Sequence, residues 1–377
     1  MDAGSEMILD EAELVALRDS ISDVLKSECD SRQVHAWQDR ANDLGPATWR
    51  RAADLGWLGL ALPEADGGLG LGARGLAILS RELGAAAAPG GFIPTLCVAQ
   101  WLSHVADADQ RAALIAPVVA GEAGFAVPLV TEGANVTPLS EQGGTVTGAI
   151  DILGCTAGSV PMVSALVPVP GGWAVVSVDG SLAKTSPLDV WDLTRDVYRL
   201  ECTAAPIVAR IADTDGAATN LLGTYLALAL AADSIGGADE ISRRTIDYMK
   251  ERVQFDRPIA SFQALKHRAA DLAAQVKTQE ALLEHAVLSF DNGSPDAGMW
   301  ARLSKAGATE AFVFVAGDCI KLHGGVGHTW EYDPQIYIKR ARLDEALLCK
   351  NRDLRDQAAR LLDEALDLGR TTTEINW

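Results

Sequence analysis

The stretch YMKERVQFDRPIASFQALKHRAADLAA, residues 248–274, joins two long segments of helical pattern. On either side of it, apolar residues recur at steps of three and four, which is typical of helices that bury one face. The proline at position 258 breaks the pattern, and no earlier proline interrupts it from Thr219 onward. The sequence therefore predicts one helix over 219–253 and another over 262–290.

Outward from this stretch, helical pattern covers most of the chain except its middle. Two further helices are predicted over 296–323 and 351–368, and helical spacing also dominates the first third. Between Gly121 and about Arg210, short Val- and Thr-rich runs bounded by Gly and Pro predict the strands of a small barrel or sandwich, with a hairpin turn at GGW (171–173). The predicted fold class is α+β, with an N-terminal helical domain over 1–120, a middle β domain over 121–215 and a C-terminal helical bundle domain over 216–377.

Composition excludes several classes of function. The chain of 377 residues has 51 acidic and 32 basic side chains, a formal net charge of −19, which argues against nucleic-acid binding. The six cysteines show no CxxC pair and no zinc-like spacing with histidine, so no metal site is predicted. The N-terminus is acidic where a secretory signal is basic, and no run of about 18 apolar residues occurs. These features predict a cytoplasmic protein without a membrane span.

Three segments carry a resemblance to a known family. They are WRRAADLGWLGLALPEADGGLGLGARGLAILSRELG (49–84), the stretch 248–274, and KLHGGVGHTWEYDPQIYIKRARLDE (321–345). With R-x-Q-F, a downstream Q-x-x-K-H and H-G-G-x-G at these separations, the chain resembles the acyl-CoA dehydrogenases over nearly its whole length. The resemblance implies their fold, in which a helical domain, a β domain and a four-helix domain follow one another. It also implies FAD-dependent removal of the α proton and β hydride of an acyl-CoA thioester, with a carboxylate as the base.

The resemblance also implies contacts to a cofactor. In this family FAD lies at a subunit interface, and the R-x-Q-F and G-G-x-G segments reach the cofactor of the neighbouring protomer. The candidate FAD-binding residues here are Arg252, Phe255, Gln263, Gly324 and Gly325. An arginine fork suits a diphosphate, although an arginine that caps a helix end is commoner. Glycines let a backbone approach a ligand closely, but they equally often end helices.

The chain departs from the family pattern in the half of the site that a protomer builds for its own cofactor. The family's T-E-P-x-A-G-S-D corresponds to VTEGANVT (130–137), which keeps Thr131 and Glu132 but lacks the Pro and the Gly-Ser-Asp. The family's G-x-K-x-W-I-T corresponds to GAIDILG (148–154), which has neither Trp nor Thr. In the other half, Lys321 stands where Gln is common. Asp256 also replaces the usual Gly after the phenylalanine.

The catalytic carboxylate is absent from both positions where the family places it. In most members the base lies in a loop shortly after the element that corresponds to KRAR (339–342), and counting on to it gives Leu348; we call this the base loop. In other members the base precedes the R-x-Q-F arginine, and counting 26 residues back from Arg252 gives Leu226. Neither leucine can accept a proton. The acids nearby are Glu345, the weak candidate for a displaced base, Asp344 and Glu240. Acids on a solvated helix face are the commoner case.

The sequence leaves three interpretations open. The favoured one is the diverged subunit of a heteromeric (α2β2) dehydrogenase, of the kind that acts on steroid-derived CoA thioesters in bacteria. In such enzymes a homologous partner supplies the base and the flavin cradle. The second is a self-sufficient homotetramer whose base is displaced, for example to Glu345. The third is a scaffold of the same fold without chemistry, which the retained Arg252 and paired glycines argue against.

Overall fold

The protein is described by a computed structural model over residues 10–131, 137–155 and 160–371. Helices make up its first and last parts and strands its middle. The N-terminal helices are α1 (Glu11–Glu28), α2 (Ser31–Gln38), α3 (Leu44–Asp54), α4 (Gly72–Ala85), α5 (Phe92–Val105), α6 (Ala108–Leu114) and α7 (Ala116–Val119). The C-terminal helices are α8 (Ala217–Glu251), α9 (Gln263–Asp291), α10 (Ala297–His323), α11 (Pro334–Ala346) and α12 (Asn351–Asp367).

The middle of the chain forms a closed barrel. Its strands are β1 (Ala123–Pro128), β2 (Ser140–Gln142), β3 (Thr145–Gly154), β4 (Met162–Val169), β5 (Gly172–Ser177), β6 (Ala183–Pro187) and β7 (Val197–Ala212). They follow the order β2-β3-β1-β4-β5-β7-β6, and an additional pairing of β3 with β7 closes the ring. Strands β1 and β4 pair in parallel, and the other pairs are antiparallel. The predicted hairpin is confirmed, because Val169 pairs with Gly172 across its turn.

The four long C-terminal helices lie within two residues of their predicted bounds. Helix α11 was not predicted, and its buried face explains the omission. Fully covered positions of α11 include Arg340 and Asp344 as well as Ile336 and Tyr337. A helix that buries charges lacks the apolar stripe on which sequence patterns depend. All three parts of the chain contribute to one continuous hydrophobic core, and the domain boundaries 1–120, 121–215 and 216–377 remain predictions.

Helix α8 is the central helix of the core. It packs closely on α4, because a Cβ atom at Gly236 would lie 1.9 Å from the carbonyl oxygen of Arg81 and one at Gly84 would lie 2.1 Å from that of Asp233. Among the described residues, α8 is the one helix long and apolar enough to cross a membrane. However, 94% of its most apolar 18-residue window is buried inside the protein. A helix covered on all sides by its own chain is a core helix.

A buried ionic cluster joins the three parts near the end of α11. The guanidinium of Arg340 donates to Asp233 of α8 at 2.6 Å, to the hydroxyl of Thr194 at 2.8 Å and to the carbonyl oxygen of Ala88 at 3.3 Å. Arg195, in the loop before β7, donates to Asp233 at 2.9 Å. Breaking a buried pair of this kind by removing one partner costs about 3–5 kcal/mol. Arg340, near the end of α11, is therefore fixed against α8 and the loop before β7.

Candidate cofactor-binding site

A small exposed hairpin follows α8. Strands β8 (Val253–Gln254) and β9 (Arg257–Pro258) pair in antiparallel fashion. Both turn residues have positive φ, 53° at Phe255 and 62° at Asp256. Aspartate tolerates this left-handed region better than most side chains, so it can stand where the family has Gly. The Phe255 side chain is 86% exposed, and the hairpin therefore presents an aromatic ring to the surface.

Arg252, at the base of this hairpin, has an uncommitted guanidinium. Its main-chain carbonyl oxygen accepts a hydrogen bond from the N–H of Ile259 at 2.8 Å, which closes the hairpin. The side chain is exposed, and the structure shows no hydrogen bond or ion pair between it and any residue within 10–131, 137–155 and 160–371. Five N–H donors in a planar fork are thus free to bind an anion. Gln263, the first residue of α9, is exposed beyond the same hairpin.

Two of the glycines after α10 are required for different structural reasons, and a third has no such requirement. Gly324 ends the helix with φ 70° and ψ −146°, a conformation essentially limited to glycine. At Gly327 a Cβ atom would lie 2.5 Å from the carbonyl oxygen of Ile320, so packing requires glycine there. Gly325 has neither a positive φ nor any atom within 4 Å of where its Cβ would lie. A glycine at that position fits the close approach of another molecule.

Stacked rings bring the two segments together. The ring of Tyr248, one turn before Arg252, lies 4.3 Å from the ring of His323 at an interplanar angle of 16°. His323 immediately precedes Gly324. Its Nδ1 lies 2.8 Å from the carbonyl oxygen of Cys319, and burial lowers the pKa of His323. His323 is therefore a buried structural residue that connects the end of α8, before Arg252, to the end of α10, before Gly324.

An acidic residue that the sequence motifs did not indicate lies on α10, six residues before Gly324. The Asp318 carboxylate, on α10, is 2% exposed and accepts hydrogen bonds from Arg268 at 2.5 Å and Lys321 at 3.0 Å. Burial raises its pKa, but the hydrogen bonds and charges of these two cations lower it below its usual range overall. The contact between Arg268 and Asp318 joins α9 to α10 across 50 residues of the chain.

At the family's base position the main chain is ordered and the side chain is apolar. Leu348 is 2% exposed and has φ 71°. Its N–H donates to the carbonyl oxygen of Leu129 at 2.9 Å, and its own carbonyl oxygen accepts from the N–H of Thr131 at 3.2 Å. Leu226, at the alternative position on α8, is 3% exposed. No proton acceptor occupies either position.

A buried lysine of α10, Lys305, donates hydrogen bonds to the loop that contains Leu348. Its ammonium is fully buried and donates to the carbonyl oxygens of Glu345 at 3.0 Å and Cys349 at 3.3 Å, and to Asn351 Oδ1 at 3.2 Å. All three acceptors are neutral, so burial dominates and lowers the pKa of Lys305 to about 8. Hydrogen bonds from a buried residue therefore fix the conformation of this loop, although position 348 has no carboxylate.

The three nearby acids are all engaged elsewhere. Glu345 pairs with Arg342 at 3.0 Å on the partly exposed face of α11. Asp344 is completely buried and accepts from Arg195 at 2.7 Å. Glu240 pairs with Arg243 and Arg244; burial opposes ionisation, but the hydrogen bonds and charges of both arginines lower the pKa of Glu240. A general base must reach the proton that it abstracts, and in this chain each of these three carboxylates is paired with an arginine.

Two segments correspond to the family's motifs for the protomer's own flavin, and their described residues include buried ones. Of VTEGANVT, residues 132–136, including Glu132, lie outside the described residues, and Thr131 is buried. GAIDILG forms the end of β3, where Ile152 is fully buried. At Gly154, φ is 136° and a Cβ atom would lie 2.4 Å from the carbonyl oxygen of Phe125. No threonine or other side chain fits at that corner.

Cysteines and metal ligands add nothing to the site. All six cysteines are buried thiols. Within the described ranges, no cluster of three or more His, Cys, Asp or Glu side chains could hold a metal ion.

Comparison with known proteins identifies the family. The model of the acyl-CoA dehydrogenase N-terminal domain matches residues 11–122, and that of the C-terminal domain matches 224–362. The chain belongs to the acyl-CoA dehydrogenase family, whose members are flavin-dependent oxidoreductases and generally use FAD. Its fold is therefore the acyl-CoA dehydrogenase fold, as the motifs indicated.

Among relatives, the chain is 29% identical over 336 residues to acyl-CoA dehydrogenase IpdE2 of Mycolicibacterium smegmatis, covering 88% of this chain and 93% of that protein. It is 30% identical over 290 residues to FadE34 of Mycobacterium tuberculosis, covering 77% of this chain but 38% of that longer protein. Among solved structures, a variant of the Tcur3481-Tcur3483 steroid ACAD matches with a TM-score of 0.83 and 25% identity, covering 94% of this chain and 99% of that one. The ChsE4-ChsE5 complex from Mycobacterium tuberculosis matches with a TM-score of 0.81 at 24% identity, covering 97% and 99%.

Proposed function

We propose that this chain is one subunit of a heteromeric FAD-dependent acyl-CoA dehydrogenase and does not supply the catalytic base. The observation that carries the proposal is the base loop. Leu348 occupies it with a buried side chain, while Leu226 occupies the alternative position. In this assignment a homologous partner provides the carboxylate, and this chain completes the partner's cofactor site.

The exposed end of the helical bundle fits the cofactor that this assignment requires. The uncommitted guanidinium of Arg252 would bind the diphosphate of FAD, and the open position at Gly325 would admit it closely. The other candidate FAD-binding residues, assigned by their match to the family motifs, are Phe255, Gln263 and Gly324. Bound FAD would supply the acceptor for the hydride that leaves the β carbon of an acyl-CoA. This chain's part is to bind and orient the cofactor's diphosphate, which requires no acid or base of its own.

The substrate class and the partner are supported by the relatives. The proposed reaction is α,β-dehydrogenation of an acyl-CoA thioester. One structural match is a steroid ACAD named for two proteins, and another is a two-protein complex. These matches support a heterotetramer with a homologous subunit and an acyl group derived from a steroid. A homotetramer built from this chain alone would require a base within this chain. Glu345 is poorly placed for that role because it pairs with Arg342.

Co-expression tests the assignment. The chain is purified alone and together with a homologous acyl-CoA dehydrogenase subunit from the same genome, and flavin absorbance and particle mass are measured. We expect little FAD on the chain alone and about one FAD per heterodimer in the complex. A flavin-saturated homotetramer formed by this chain alone would establish the self-sufficient enzyme instead. A complex that forms without flavin would favour the third interpretation, a scaffold of the same fold without chemistry.

A further inference from the structure

A cavity of about 330 Å³ lies between the end of α2 and the loop that joins β6 to β7. Trp37 and Gln38 line it from α2, and residues of the loop line it from the other side. Two contacts fix the loop in place. Trp37 Nε1 donates to the carbonyl oxygen of Leu193 at 2.9 Å, and Arg195 donates to Asp233 of α8 at 2.9 Å. A cavity whose walls are already held needs little rearrangement to bind a ligand.

Three buried side chains of this lining retain unused hydrogen-bonding capacity. Gln38, Asp192 and Arg195 are 5%, 2% and 6% exposed. Asp192 Oδ1 accepts hydrogen bonds from the N–H and the hydroxyl of Thr194. In the part of the chain that the structure describes, Asp192 Oδ2, Gln38 Nε2 and Arg195 Nε have no hydrogen-bond partner. Buried polar atoms nearly always have one, so this cavity offers one acceptor and two donors to a ligand.

A second carboxylate, that of Asp196, lines the same cavity without a partner. It makes no hydrogen bond or ion pair with any residue that the structure describes. Burial, and then the charge of Asp192, raise the pKa of Asp196 to about 6, so it is ionised at neutral pH. Arg40 also lines the cavity, but it is exposed to solvent and does not pair with Asp196. The rings of Trp37 and Tyr198 are part of the lining, and aromatic faces attract cations.

From this arrangement we infer that the cavity binds a small organic cation that also carries a hydrogen-bond-accepting oxygen. The carboxylates of Asp192 and Asp196 bind its ammonium group beside the two aromatic rings. Gln38 Nε2 and Arg195 Nε donate to its oxygen. The inference goes beyond the proposed function and does not depend on it, because none of these residues is a candidate for FAD binding or for the catalytic base.

A cavity that holds only water makes a different prediction. Ordered water molecules commonly satisfy buried polar groups, and one occupies about 30 Å³. Water carries no charge, so a cavity suited to water has no reason to prefer an ammonium compound to a neutral alcohol of the same size. A preference for the charged compound that depends on Asp196 therefore separates the two cases.

The experiment uses three probes of similar size. Ethanolamine, protonated at pH 7.5, has both the ammonium and the oxygen, ethylene glycol lacks the ammonium, and ethylammonium lacks the oxygen. Each is titrated into the full-length chain by ligand-observed NMR. Because charge-assisted hydrogen bonds are the stronger ones, we expect ethanolamine to bind about 10- to 100-fold more tightly than ethylene glycol, with ethylammonium between them. Asp196→Asn should weaken ethanolamine binding by a similar factor. Asp189→Asn, which removes the same charge at an exposed position of the loop outside the lining, should bind as the wild type does.

Two results would overturn the inference. Ethanolamine that binds no more tightly than ethylene glycol would show that the cavity holds water without selecting a cation. Equal ethanolamine affinity in Asp196→Asn and Asp189→Asn would place the binding elsewhere on the chain. Asparagine keeps the shape of aspartate and removes a buried charge, so the variant should fold, and urea unfolding verifies this. The readout involves neither flavin nor turnover, and failure here leaves the proposed function as it stands.

Discussion

The main chains of Leu348 and Leu129 are joined by a hydrogen bond of 2.9 Å, with Leu348 held at a φ of 71°. A left-handed conformation costs a non-glycine residue roughly 1–2 kcal/mol. The loop nevertheless keeps it, because the buried Lys305 ammonium binds the carbonyl oxygens on either side and Thr131 binds that of Leu348. The loop at Leu348 therefore keeps a fixed main-chain conformation around a buried, apolar side chain.

Arg252→Ala should weaken FAD binding to the assembled complex about 10- to 100-fold, because charge-assisted hydrogen bonds are worth about 1.5–3 kcal/mol. Arg252→Lys should weaken it less, since lysine keeps the charge but loses the planar fork. Affinity is measured by FAD titration of the apo complex. Arg352→Ala, which removes an arginine that is 90% exposed on α12, is the control. Unchanged affinity in Arg252→Ala would make Arg252 a helix-end residue.

Glu345→Gln and Glu240→Gln should each leave turnover of the complex within a few fold of wild type. Loss of a true general base typically lowers the rate about 10²- to 10⁴-fold. Glutamine keeps the volume of the side chain, although Glu240→Gln also removes the ion pairs with Arg243 and Arg244 and should lower stability. Turnover is measured with flavin content and subunit composition monitored in parallel. A hundredfold loss in Glu345→Gln at full flavin content would identify Glu345 as a displaced base.

Asp196→Asn should stabilise the protein at neutral pH. Burial, and then the nearby charge of Asp192, raise the pKa of Asp196 from 3.8 to about 6. The folded state therefore binds more protons than the unfolded state between these values, and stability falls as the pH rises from about 4 to 6. Above pH 6 the full cost is present, and the amide should recover about 1–3 kcal/mol. At pH 4 the variant should match the wild type.

Urea unfolding at pH 4, 5, 6 and 7.5 checks this prediction. Asp189→Asn, at an exposed position of the same loop, is the control. A gain in stability for Asp196→Asn that is equal at pH 4 and pH 7.5 would show that ionisation of Asp196 is not the cause.

Lys305→Met should change the pH dependence of stability in the alkaline range. Burial lowers the pKa of Lys305 from 10.5 to about 8, so the unfolded state binds more protons between these values. Wild-type stability therefore gains a rising contribution from pH 8 to about 10.5, of about 1–3 kcal/mol in total. The variant lacks that contribution. Urea unfolding from pH 7 to 10 measures the difference between the two proteins, and a difference that is constant over this range would contradict the prediction.

Much of the fold could be predicted because its long helices bury apolar stripes. The segments 219–253, 262–290, 296–323 and 351–368 were placed within two residues of their observed ends. Helix α11 could not be placed in this way. Its buried residues Arg340 and Asp344 are stabilised only by partners on α8 and before β7, and no local pattern contains that information.

The motifs indicated Arg252, Phe255 and the paired glycines as site residues, and they remain proposals. The stacking of Tyr248 on His323 connects the end of α8, before Arg252, to the end of α10, before Gly324. Asp318 went unnoticed because a lone aspartate on a helix has no signature until Arg268, 50 residues away, binds it.

The order of residues was enough to establish the family, the α-β-α plan and the absence of acids at positions 226 and 348, since these depend on residue identity and local spacing. Tertiary structure alone decided that the main chain of Leu348 is hydrogen-bonded to that of Leu129. It also decided that Glu345, Asp344 and Glu240 pair with arginines, whereas Arg252 pairs with no acid in the described part of the chain. The physical reason is that burial and pairing arise between segments far apart in the chain. Those contacts determine whether a side chain retains free hydrogen-bonding capacity or charge for a ligand.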